Sequence, residues 1–61
     1  MIYNNLIGKT FEEARTILEQ SGFSWRVTNV DGSSRIITDD YRPDRVNITL
    51  VNGIVLETSN G

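Results

Sequence analysis

The sequence predicts an α+β domain: one amphipathic helix packed on a small mixed β-sheet, with a long exposed loop between the first two main strands. Three observations predict it. A capping box at Thr10–Glu13 opens a helical apolar stripe. Two segments, Phe23 to Val30 and Arg45 to Val51, carry the apolar-polar alternation of half-buried strands. Asn52-Gly53 then follows the second strand, and Asn-Gly is the strongest short hairpin signal.

Thr10 can accept from the free amide three residues on, and Glu13 can reach back to the cap. Glu12 and Glu13 lie where the helix dipole favours negative charge. Phe11, Ala14, Ile17 and Leu18 fall on one face, and Gly22 is a natural stop, so the helix covers about 11–21. Leu6 and Ile7 are expected to fold onto the same core. Trp25 and Val27 alternate with Ser24, Arg26 and Thr28 in the first strand, and Trp25 and Phe23 belong to the core. Asp31-Gly32-Ser33-Ser34 is a turn-rich break. Residues 35–41 lack a helical period and read as an extended loop. In the next strand Val46, Ile48 and Leu50 face one way, and Arg45, Asn47 and Thr49 the other. Residues 54–57 pair back as a last strand, leaving 58–61 as a tail. The long connection lets the first two strands lie parallel.

At 61 residues the chain makes a single domain, 1–61, near the lower limit for independent folding. It has no Cys and no His, which excludes disulfides, thiolate zinc sites and redox chemistry. A net charge of −2 with scattered basic residues gives no footprint for nucleic acid. No apolar stretch is long enough to cross a membrane, and Met1 to Lys9 lacks the pattern of a signal peptide. The compartment is therefore open. Asp31, Asp39, Asp40 and Asp44 lack the spacing of an EF-hand loop, so no metal or other cofactor is expected. Without a recognised catalytic motif, and with too little chain for a deep pocket, the expectation is binding and not catalysis.

The segment that carries most information is Ile36-Ile37-Thr38-Asp39-Asp40-Tyr41-Arg42-Pro43-Asp44-Arg45-Val46. Acidic and hydroxyl side chains stand beside Arg42 and Arg45, which can brace a loop against the domain. The bland alternatives are solvated arginines and an acidic surface turn.

Gly8-Lys9-Thr10-Phe11-Glu12-Glu13-Ala14-Arg15, the run Thr38-Asp39-Asp40-Tyr41-Arg42-Pro43-Asp44-Arg45-Val46-Asn47 and Gly61 resemble the potato inhibitor I family. That family includes eglin and chymotrypsin inhibitor 2. The Asp-Tyr-Arg-Pro-Asp-Arg run is closest to its small bacterial and fungal elastase-inhibitor-like branch. The resemblance spans roughly residues 6–61. It implies a substrate-like serine protease inhibitor. The reactive-site bond maps to Asp39-Asp40, and Arg35, Ile36, Ile37, Thr38 and Tyr41 map to the binding loop. Arg45 and Asn47 map to the two supporting arginines, with Arg42 as a further candidate. Gly61 places its carboxylate near the same pair. The implied partner is a protease, and a monomer is expected, with pairing through the last strand an alternative.

The chain departs from the family pattern at three points. Asp39 stands where active members carry a large apolar residue. An unpaired charge buried in an apolar pocket costs several kcal/mol. Three explanations follow: a target that prefers acidic residues, a shifted register with Ile37 or Thr38 in the pocket, or a loop whose partner has changed. The last amounts to a non-inhibitory binding module. Asn47 replaces a cation with an amide that still donates hydrogen bonds. A cysteine that some members of the branch carry near the C-terminus is absent.

Overall fold

The computed structural model describes residues 5–61. The expectation about Met1 to Lys9 falls partly on 1–4, which lie outside the described residues. The domain is the α+β arrangement the sequence predicts: α1 (Phe11–Gln20), β1 (Ser24–Val30), β2 (Ser33–Ser34), β3 (Arg45–Val51) and β4 (Ile54–Asn60). The helix packs on a four-stranded mixed sheet of order β2-β1-β3-β4. No described helix is long and apolar enough to cross a membrane.

The capping box forms in full. Thr10 Oγ1 accepts from the Glu13 amide at 3.2 Å, and the Thr10 amide donates to Glu13 Oε1 at 3.1 Å. Ser21 closes the helix, and Gly22 follows with a positive φ of 80°. The helix buries Ala14 and Leu18 against Val46, Ile48 and Leu50 of β3 and Val55 of β4. Leu6 completes this core, while Ile7 stays half exposed, against expectation. Gly8 next to it donates its amide to the Val55 carbonyl, so the chain runs along the domain edge there. Phe11 meets Trp25 edge-to-face at 5.2 Å between ring centroids. Both rings are partly buried at the core margin.

β1 and β3 pair in parallel, as the long connection allows, with Arg26 beside Asn47. The register skips Thr28, whose carbonyl accepts instead from the Arg35 amide at 2.8 Å. That bond fixes where the long loop leaves the sheet.

Two boundaries differ from the sequence reading. Asp31 and Gly32 both take positive φ, 50° and 83°, so the turn-rich break is a tight hairpin that returns Ser33–Ser34 against Asn29–Val30. Asn52 and Gly53 do the same at 53° and 75°. The last strand runs to Asn60, not Glu57. Thr58, Ser59 and Asn60 pair with Ile48, Asn47 and Val46, which carries Gly61 beneath the loop. The expected tail is strand because β3 offers a full-length edge, and short polar side chains suit its solvated face.

Candidate functional site

The loop is anchored at both ends by backbone. Arg35 donates to Thr28 at its start, and Arg42 donates to the Gly61 carbonyl at its end, 3.2 Å away. Between these anchors Ile36 is fully exposed and Ile37 half exposed. Asp39 and Asp40 form the apex.

Two arginines hold this apex from below, one for each arm. Arg45, at the head of β3, is 8% exposed. Its Nη2 donates to the Asp40 carbonyl and, at 2.7 Å, to the Gly61 carbonyl, with Nε also on Gly61 at 3.2 Å. The same Nη2 lies 3.5 Å from Asp40 Oδ1. A nearly buried guanidinium is tolerated because carbonyl and carboxylate oxygens surround it.

The second brace is Arg26 of β1. Its Nη1 donates to the Thr38 carbonyl at 3.2 Å and to Thr38 Oγ1 at 3.4 Å. Its Nη2 reaches the Gly61 carbonyl at 3.5 Å, and its Nε donates to Asn47 Oδ1 at 2.6 Å. Asn47 therefore does not reach the loop itself. It orients Arg26, its neighbour in the parallel register, and Arg26 supplies the cation. Arg26 was legible only as a polar-face residue of an alternating strand. The register that sets it beside Asn47 cannot be read from spacing.

The arms are also joined to each other. Thr38 Oγ1 donates to Asp40 Oδ1, so this bond straddles the Asp39-Asp40 peptide. The network is a ring: Arg26 to Thr38, Thr38 to Asp40, Asp40 to Arg45, and both arginines to Gly61. Gly61 is buried at φ 136°, a region that favours glycine. A Cβ there would sit 3.3 Å from Tyr41 Cδ1 and 3.4 Å from Asn47 Nδ2. Tyr41 packs on Gly61 and donates its hydroxyl to Asn60 Oδ1, closing the loop base.

Arg42 contributes differently from the sequence reading. Its Nε lies 3.6 Å from Asp44 Oδ1, and its backbone joins the brace, the amide donating to Gly61 and the carbonyl accepting from the Arg45 amide. Pro43 fixes the backbone φ immediately after Arg42.

The Thr38 hydroxyl lowers the Asp40 carboxyl below the usual carboxylate range; partial desolvation opposes this, and the charge and hydrogen bond of Arg45 reinforce it. A depressed folded value means the carboxylate's contribution is complete above about pH 4, its ordinary value, and is lost as pH falls through the lower folded one. The loop should hold its shape from neutral pH to about pH 4 and loosen only below it. Carbon NMR titration checks this: the Asp40 midpoint should rise in Thr38→Val. An unchanged midpoint would show that the hydroxyl does not hold the carboxylate.

Among the described residues no group of carboxylates is placed to hold a metal ion. A recess of about 240 Å³ under the apex is lined by the brace itself, including Arg26, Asn47 and Gly61. The chain matches no protein-family model, and no curated protein matches it.

Proposed function

We propose that this protein is a substrate-like inhibitor of serine proteases that presents residues 35–41 as an extended binding loop. The observation that carries the reading is the ring around the Asp39-Asp40 bond. Residues on both sides of one peptide bond are tied to each other and to separate arginines, which meet at a single carbonyl. This is the support the potato inhibitor I resemblance implies, with Arg26 in a role the motif does not assign.

The physical logic has two steps. A loop already held in its bound shape loses less conformational entropy on binding, so more contact energy appears as affinity. If the protease serine attacks the Asp39 carbonyl, an ester forms and the Asp40 amine leaves. The leaving amine cannot diffuse away, because Asp40 is held by Thr38 and Arg45. It re-attacks the ester and restores the peptide faster than water completes hydrolysis.

Asp39 favours a second reading, a protein-binding module on the same scaffold whose partner is not a protease. The two separate cleanly by experiment. An inhibitor competes with active-site substrate and fails to bind a protease whose serine carries a bulky covalent blocker. Long incubation should cut only at 39–40 and leave intact chain at equilibrium. The parent chain and Asp39→Leu should be run against subtilisin, chymotrypsin, elastase and a glutamate-specific enzyme. Rapid, complete hydrolysis of the loop, or no inhibition by either chain, would sink the inhibitor reading.

A further inference from the structure

Two adjacent carboxylates stand at the apex, and the chain treats them in opposite ways. Asp40 is engaged through Oδ1, by Thr38 and by Arg45. Asp39 is exposed, and no described side chain pairs with it. The chain bends at Asp39, and the side chains of Thr38 and Asp40 on either side of the bend turn toward each other, which leaves Asp39 exposed at its tip. The cations beneath the apex are already committed, Arg45 to Asp40 and Gly61 and Arg26 to Thr38, Asn47 and Gly61, while Arg42 pairs with Asp44 and Arg35, exposed at the start of the loop, makes no ion pair with Asp39. Any partner that covers this apex must supply the counter-charge for Asp39 itself.

We propose that the partner is a serine protease whose specificity pocket carries a fixed cation, an enzyme that cleaves after acidic residues, and that Asp39 is the residue it selects. This inference rests on the inhibitor reading and names its target class. A pocket with apolar walls would strip water from the carboxylate and return nothing. An acid-lined pocket would repel it. The structure also weighs against a shifted register. Seating the Thr38 side chain in the pocket would break its hydroxyl's bonds to Arg26 and Asp40, loosening the upstream arm and the link across the peptide. Ile37 is only half exposed and lines the recess beneath the loop.

The test is inhibition of a glutamate-specific serine protease, subtilisin, chymotrypsin and trypsin by the parent chain, Asp39→Asn and Asp39→Leu. Asp39 bears no structural contact, so all three chains should fold alike, and Trp25 fluorescence confirms it. The parent should inhibit the glutamate-specific enzyme at least about 100-fold more tightly than subtilisin or chymotrypsin. Asp39→Asn should lose at least about tenfold on that enzyme, and Asp39→Leu should reverse the order. Equal inhibition of the glutamate-specific enzyme by parent and Asp39→Asn overturns the assignment. So does inhibition of subtilisin by Asp39→Leu with no action of the parent on the glutamate-specific enzyme, although the inhibitor reading then survives. No inhibition of any enzyme by any chain overturns both.

Discussion

Arg45→Ala should both destabilise the domain and convert the loop from a held peptide into a cleavable one. The guanidinium is nearly buried, and three of its hydrogen bonds go to main-chain carbonyls of Asp40 and Gly61. Bonds from a charged donor are each worth about 1.5–3 kcal/mol, and truncation leaves carbonyl oxygens short of partners. The Gly61 carbonyl keeps the Arg42 amide, which limits the loss. A net cost of about 2 kcal/mol lowers the midpoint of thermal unfolding by roughly 8–16 °C in a domain of this size. A chain this long holds roughly 3–9 kcal/mol in total, so the variant should still fold at 25 °C. The kinetic effect should be larger. With the Asp40 carbonyl released, the downstream arm loses its main tether, and protease cleavage at 39–40 should run to completion. Arg45→Lys should recover only part of the stability, because one ammonium cannot reproduce the fork that spans Asp40 and Gly61. Thermal unfolding and limited proteolysis check the pair. An unchanged unfolding midpoint with an uncut loop would show that Arg45 does not brace it.

The division between what was legible in the sequence and what was not follows the range of the interactions. Local signals were sufficient wherever a few neighbouring residues decide the structure. Thr10 and Glu13 announced the helix start, and Asn52-Gly53 the hairpin. The alternation Val46-Ile48-Leu50 identified the face that became the core. The helix-on-sheet class followed from those elements. Asp31-Gly32 carried the same turn chemistry as Asn52-Gly53, yet only two short serines follow it, too few to show alternation. The extension of β4 to Asn60 was hidden for a related reason. Thr58, Ser59 and Asn60 are short and polar, and what makes them strand is the partner edge of β3, which lies far away in sequence. The site divides in the same way. Arg45 and Asp40 are close in the chain, and the motif pairs them. Arg26 lies on another strand, and its role depends on the parallel register that sets it beside Asn47. An arginine on a polar strand face has the same sequence signature whether it is solvated or braces a loop.

Arg26→Ala therefore tests the part of the site that only the structure reveals. The side chain is less buried than that of Arg45, so thermal stability should fall less than in Arg45→Ala. The upstream arm should loosen, since both Arg26 bonds to Thr38 disappear, and with them the restraint on the hydroxyl that reaches Asp40. Amide order parameters at Thr38 and Asp39 should drop toward values of about 0.6 that mark flexible backbone. This readout needs no protease and so stands apart from the functional proposal. Where an enzyme is inhibited, a loss of about 1–2 kcal/mol of pre-organisation weakens inhibition by roughly five- to thirtyfold. Asn47→Ala should reproduce part of this effect, because the amide oxygen fixes the Arg26 Nε and nothing in the loop. The decisive comparison is the double variant with Arg45→Ala. The two arginines share the Gly61 carbonyl and are linked through the Thr38–Asp40 bond, so their effects should be non-additive by about 0.5 kcal/mol or more. Once one arm is free, the hydrogen bond across the Asp39-Asp40 peptide is already loosened, and removing the second arginine has less left to disrupt. Strict additivity would mean that the arms are held independently, and that the ring around Asp39-Asp40 is geometry without cooperativity.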